Sequence, residues 1–365
     1  MKIKEVLSVL DELAPSSYQE SYDNAGLITG NLSWLCTGVI CTLDATEAVI
    51  LEAKQRGCNL VVAHHPIIFS GLKKITGKNY VEKTIIAAIK NDIAIYAIHT
   101  NLDNLLTGVN GKMADRLGLE NRKVLLHKQN NLMKLVVFAP VAEAEQVREA
   151  IFEAGGGHIG NYSECSFIIR GKSTFKPGSG TNPHTGKVGK RETNDEEKIE
   201  IIFPVYLKEK LINAMTEAHP YEEVAYDLIA LSNYFQEVGS GLVGELAEPM
   251  DEGAFLDLVK NQFGLQVIKH TRLINKKVKK VALCGGAGSF LIKNALGAGA
   301  DFYITGDIKY HEFFDAENKM VIADIGHWES EQFTIDLLYD VLHTKFTTFA
   351  VLKSDVMTNP VFYYT

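Results

Sequence analysis

Apolar runs rather than alternating patterns mark the strands of this chain. Gly38-Val39-Ile40-Cys41-Thr42-Leu43, Asn59-Leu60-Val61-Val62-Ala63 and Asp92-Ile93-Ala94-Ile95-Tyr96-Ala97-Ile98 are nearly continuous in apolar residues. Strands of that kind belong to a parallel sheet covered on both faces. Between them, Thr46 to Arg56 carries Val49, Ile50 and Ala53 at helical spacing, and Tyr80 to Asn91 predicts a second helix. The last third repeats the order. Lys279 to Cys284 predicts a strand, Ser289 to Leu296 a helix, Asp301 to Ile304 a strand and the region of His311 a helical stretch. A strand from Met320 to Ile325 follows, then a helix whose buried stripe is Phe333, Leu337 and Val341. Aligning the halves sets His64 and His65 opposite Gly306 and Asp307, and His99 opposite Gly326 or His327. The expected fold is α/β, with two pseudo-repeated α/β lobes built on mainly parallel sheets around one cleft.

The middle of the chain has a different texture. Met133 to Phe138 predicts a strand, Ala142 to Ala154 a helix ended by Gly155-Gly156-Gly157, and Cys165 to Arg170 a strand. Lys172 to Glu197 is rich in Gly, Ser, Pro, Asn and charge and predicts a long exposed loop. A strand from Ile199 to Pro204 and a helix from Leu207 to Ala218 come next. A β-α-β-β-α-β order is ferredoxin-like. Residues 128–236 are therefore expected to form an inserted ferredoxin-like α+β domain, leaving 1–127 and 237–365 as one discontinuous core.

Composition narrows the function. At 365 residues, two or more domains are expected. A net charge of −8 without a dense Lys/Arg block argues against general nucleic-acid binding and against a membrane surface. A phosphorylated small molecule stays compatible, because bound metals reverse the local sign. The five cysteines form no C-x-x-C pair, so reduced thiols in a cytoplasmic protein are expected. No apolar run approaches the roughly 20 residues of a membrane span, and the first residues are amphipathic rather than a signal sequence.

The chemistry gathers at strand ends, where open α/β sheets bind their ligands. His64-His65-Pro66 closes one apolar run, His99-Thr100-Asn101-Leu102-Asp103 another, and Gly326-His327 with Glu331 a third. His327 and Glu331, four apart, share a helix face. His64 and His65 would point to opposite faces of an extended strand, so both serve one site only if the backbone turns at Pro66. A mixed imidazole and carboxylate set suits Zn²⁺, Mn²⁺ or Fe²⁺ better than an all-oxygen site for Mg²⁺ or Ca²⁺. Two such ions sharing a carboxylate promote hydrolytic attack at a phosphoryl or amide-like centre. His99 reads as an orienting or structural residue, and Asp307 with His311 as a second i,i+4 pair lining the cleft. These three are the candidates for catalytic groups. Gly285-Gly286-Ala287-Gly288-Ser289 offers backbone N–H groups for an anion. His127, His158, His184, His270 and His343 are isolated and read as structural.

Together these residues resemble the GTP cyclohydrolase 1 type 2 family, also called Nif-three-like. The resemblance rests on Asp23-Asn24-x-Gly26-Leu27, His64-His65-Pro66, His99-Thr100-Asn101-x-Asp103, Thr305-Gly306-Asp307 with His311, and Gly326-His327 with Glu331. It implies two divalent metals per chain held by His64, His65, Asp103, His327 and Glu331, with the glutamate bridging. It also implies a homo-oligomer, a toroidal hexamer. The insertion resembles a PII-like or CutA-like module, most clearly at His219-Pro220-Tyr221-Glu222-Glu223. The function expected is a dinuclear-metal hydrolase acting on a nucleotide or another phosphorylated small molecule. The alternative is a non-catalytic metal-binding or regulatory protein whose insert senses a ligand.

Overall fold

The computed structural model describes residues 1–364. The chain divides into two compact units, Met1–His127 with Glu237–Thr365, and Lys128–Gln236. The architecture is mixed α/β with three sheets. No helix among the described residues is long and apolar enough to cross a membrane.

The first unit holds two sheets. One has the order β1-β4-β3-β2-β15, from Gly26–Thr29 (β1), Val39–Asp44 (β2), Leu60–His65 (β3), Ala94–Ala97 (β4) and Val351–Lys353 (β15). β2, β3, β4 and β15 run parallel, and β1 lies antiparallel on the edge. The second has the order β11-β14-β13-β12-β10-β5. Its strands are Glu120–His127 (β5), Gly239–Asp251 (β10), Lys269–His270 (β11), Lys277–Ala287 (β12), Phe302–Gly306 (β13) and Val321–Asp324 (β14). Only β12, β13 and β14 are parallel there.

This second sheet departs from the mainly parallel expectation, and burial explains why. Val281, Leu283, Phe302 and Ile304 pack into one apolar cluster, while Ala282, Cys284 and Tyr303 pack into another on the opposite face. Strands buried on both faces read as apolar runs. The antiparallel β5 exposes much of its length and β10 alternates, so neither gives such a run.

Local boundaries also shift. The expected helix from Ser289 begins as a tight turn and becomes helical over Ile292–Gly297. The helix after His327 is two helices, His327–Glu331 and Thr334–Lys345. The second buries Leu337, Leu338 and Leu342, with Val341 only partly covered.

The second unit carries the antiparallel order β7-β8-β6-β9, from Leu132–Pro140 (β6), Ser166–Phe175 (β7), Glu192–Pro204 (β8) and Tyr226–Ala230 (β9). Helices Ala144–Glu153 and Lys208–Ala218 bury Val147, Ile151, Leu211 and Met215 against it. The long loop expected from Lys172 to Glu197 shrinks to 176–191, because β7 and β8 pair from Ser166↔Ile201 to Phe175↔Glu192. Lys172–Asp195 at 2.7 Å and Arg170–Glu197 at 3.0 Å bind across that ladder. Their polarity imitates a loop, but cross-strand charge pairs favour a ladder.

Candidate metal centre

The ends of β3, β4 and β14 lead into residues that gather in one place. His64 and His65 end β3, and their rings lie 4.9 Å apart, so both reach one region despite strand alternation. His99 follows β4 and caps the short helix Thr100–Asp103, which carries Asp103. Helix His327–Glu331 starts at Gly326, whose φ of 93° lies where side chains are disfavoured. A Cβ on Gly286 of β12 would strike the Glu331 carboxylate, so that glycine lets Glu331 sit against the strand.

The imidazoles share one arrangement. His64 Nδ1 binds the Ile98 carbonyl at 2.8 Å, His65 Nδ1 binds Asp44 Oδ1 at 2.8 Å, His99 Nδ1 binds Asp23 Oδ1 at 2.8 Å, and His327 Nδ1 binds Asp307 Oδ2 at 2.7 Å. With Nδ1 engaged by these oxygens, Nε2 is the nitrogen of each ring left to meet a ligand. His65 Nε2 stands 2.9 Å from Glu331 Oε2, and His327 Nε2 stands 3.3 Å from the same oxygen. His64 Nε2 lies 3.5 Å from Asp103 Oδ1 and 3.9 Å from Glu331 Oε1. Three groupings are compact enough to hold a metal ion: His64/His65/His99, His65/His327/Glu331 and His64/Asp103/Glu331. Glu331 belongs to two of them.

The donor set fits a divalent cation on a direct observation. His64 Nε2 and Asp103 Oδ1 are buried without a hydrogen-bond partner, a costly state for polar atoms that a ligand would relieve. Charge balance agrees. Burial pushes the Asp103 carboxyl up, and the nearby Glu331 adds to this against the opposing His64. Burial also acts to raise Glu331, but the close His327 and His65 rings, with the charge of nearby His64, outweigh it and hold its carboxyl well below the usual range. His65, opposed by burial, is raised to about 10 by Asp44 and Glu331. His327, likewise opposed by burial, is raised to about 9 by Glu331 and Asp307. Protons on these rings stand in for cations.

Two carboxylates stand behind the rings, and neither is among the expected metal ligands or catalytic groups. Asp44, the last residue of β2, holds His65 and accepts the Thr358 hydroxyl on Oδ2 at 2.7 Å. Asp23 holds His99 and also binds the Thr100 amide and hydroxyl, at 3.0 and 2.5 Å. Asp23-Asn24 belongs to a motif of the resemblance with no role attached, and its partner across the fold reveals its use. Asp307 sits at a φ of 56° with its carboxylate on His327. His311 is exposed and its ring lies beside Tyr310 and Phe314, outside the three groupings. The glycine-rich turn keeps its N–H groups for the protein: Gly285 N donates to Asn110, Gly286 N to Ser330 and Gly288 N to Thr305. They do not form an anion cradle.

The arrangement has relatives. Residues 1–360 match the family described as Duf34/NIF3 (NGG1p interacting factor 3). The chain belongs to the Duf34/NIF3 family. It is 43% identical over 324 residues to a GTP cyclohydrolase 1 type 2 homolog of Halalkalibacterium halodurans, covering 88% of this chain and 87% of the relative. It is 35% identical over 367 residues to a protein of the same name from Staphylococcus epidermidis, covering 100% of both. Among solved structures, a Bacillus cereus protein related to NIF3 superposes with a TM-score of 0.88 at 39% identity, covering 100% of this chain and 99% of that one.

Proposed function

We propose that the first unit is a dinuclear metal centre with hydrolase activity. Its ligands are His64, His65, Asp103, His327 and Glu331, the last bridging two ions. The observation that carries this reading is the set of imidazoles pinned through Nδ1 with Nε2 turned toward Glu331. Divalent cations there, of zinc, manganese or iron, would supply Lewis acidity and a lowered pKa for water. The protein's own groups do the rest. Asp44 and Asp307 fix the ring planes and tautomers of His65 and His327. His99, held by Asp23, presents Nε2 beside His64 and His65 and is the group placed to move a proton. Asp307 is thus a positioning residue, and exposed His311 is left to the entrance rather than to the reacting atoms.

A nucleotide or another phosphorylated small molecule is the proposed substrate class. The aromatic ring of Phe69, 60% exposed, stands 5.8 Å from His99 and offers a face for a base. The curated relatives carry the name GTP cyclohydrolase 1 type 2 homolog, which agrees with a nucleotide. The β2–β4 and β12–β14 triplets, each flanked by a short antiparallel strand beyond its last member, support a duplicated core. The order β7-β8-β6-β9 supports a ferredoxin-like insert at 128–236. A hexamer is the proposed assembly. Phe290, Tyr310 and Phe314, all more than half exposed, would form part of its contacts. Five unpaired cysteines suit a cytoplasmic setting.

The test is a screen of zinc-, manganese- and iron-loaded protein against nucleotides and phosphoesters, with His64→Ala as the disabled variant and His343→Ala as the control. Turnover lost in the first and kept in the second supports the reading. Metal binding without turnover on any substrate favours the non-catalytic, regulatory alternative.

A further inference from the structure

The second unit carries a pocket of about 290 Å³ that is half open to solvent, close to the lower end of small-molecule sites. Glu196 of β8 lines it and is only 5% exposed. Neighbouring carboxylates on that strand have cations: Lys172 for Asp195, Arg170 for Glu197, and Lys134 with Lys198 for Glu200. Glu196 has none among the described residues, and its Oε1 accepts only the Tyr221 hydroxyl, at 2.8 Å. A glutamate this buried is ordinarily paired, because burying a lone charge is costly.

The surroundings show what would pair with it. Phe138, Phe175 and Tyr221 form apolar walls, the last two with ring centroids 6.2 Å apart. Ser173 also lines the cavity, and its hydroxyl oxygen is buried without a hydrogen-bond partner. Gly171 stands opposite Glu196 in the ladder, and a Cβ there would meet nothing, so space is left beside the carboxylate. Glu222 and Glu223 add negative charge at the lining. His184, the one basic side chain of the lining, faces Glu143 at 3.6 Å.

We propose that this cavity binds a small organic cation, an ammonium or guanidinium group on a short apolar body. Glu196 receives the charge, aromatic faces flank it, and the Ser173 hydroxyl accepts an N–H. An anion would meet three glutamates, and a neutral molecule would leave Glu196 unpaired. The site is separate from the metal centre and does not depend on its reading.

Calorimetry on the full-length protein tests this with phenethylamine, cationic at neutral pH, and 2-phenylethanol, a neutral molecule of matching size. The amine should bind about tenfold more tightly, the scale of a desolvated charge contact. Glu196→Gln keeps an acceptor for Tyr221 and should abolish that preference. Equal affinities, no saturable binding of the amine, or a preference that survives Glu196→Gln would each overturn the proposal. Should the variant not fold, amide shifts in the unaltered protein decide. The amine must move signals of Phe175, Glu196 and Tyr221, and shifts confined to other residues refute the site.

Discussion

Removing Asp44 sets two effects on His65 against each other, and pH separates them. The Asp44 carboxylate binds Nδ1 at 2.8 Å and so aims Nε2 at the metal site. Losing such a partner weakens metal binding by about 10- to 100-fold, or about 1.4–2.7 kcal/mol. The same carboxylate also helps raise His65 to about 10 in the metal-free chain, sharing the task with Glu331 at 2.9 Å. A metal must displace that proton. If the two carboxylates contribute equally to the rise from about 6.5, Asp44→Ala returns His65 to roughly 8. Proton competition is then relieved by about 50-fold at about pH 7 but only by about 10-fold at about pH 9. The variant should therefore bind zinc almost as well as the parent near neutrality. It should fall behind by roughly a further fivefold as the pH rises by about two units. Competition with a chromophoric chelator across that range measures the ratio. A ratio that stays constant, or that moves in the variant's favour with rising pH, refutes the reasoning.

Glu331→Ala should reduce bound metal from near two equivalents to well below one, because its carboxylate faces His64, His65 and His327 together; unchanged stoichiometry by elemental analysis would refute the bridging role. The raised His65 and His327 stabilise the metal-free fold below about pH 6.5. That stabilisation disappears as pH climbs through about 9 and then about 10. The urea midpoint of chelated protein should accordingly fall over this interval, and a flat or rising midpoint counts against the two imidazolium–carboxylate pairs. Phe255 is fully buried with its ring 4.9 Å from that of Phe302. Phe255→Ala should cost about 3–5 kcal/mol, read by chemical denaturation, and a loss under about 1 kcal/mol would mean that the cluster closes over the gap.

The strands that position the centre were legible because burial on both faces writes an unbroken apolar run. β3, β4 and β14 announce themselves this way, and the histidines stand where these three runs stop. Some strands that bury one side, or little, were not legible. β5 and β10 blend polar with apolar residues, and the far end of β7 looks like a loop because its charges are satisfied across the ladder. Asp44 stayed hidden, and Asp23, though part of a motif, showed no role, for another reason. Each acts on a histidine 21 or 76 residues away. Only the closed fold shows which imidazole each meets.

His65 and Glu331 are 266 residues apart in the chain yet meet at 2.9 Å. One ends a strand of the first sheet and the other ends the short helix that follows β14 of the second, so a cation held between them would be a clasp on the tertiary structure. Whatever free energy the ion gives up on binding is withheld from every conformation in which the two sheets have separated. At free metal a hundredfold above the dissociation constant, this amounts to about 2.7 kcal/mol. Metal supply would then govern how long the folded chain survives. Starved of metal, the protein should be lost to proteases sooner.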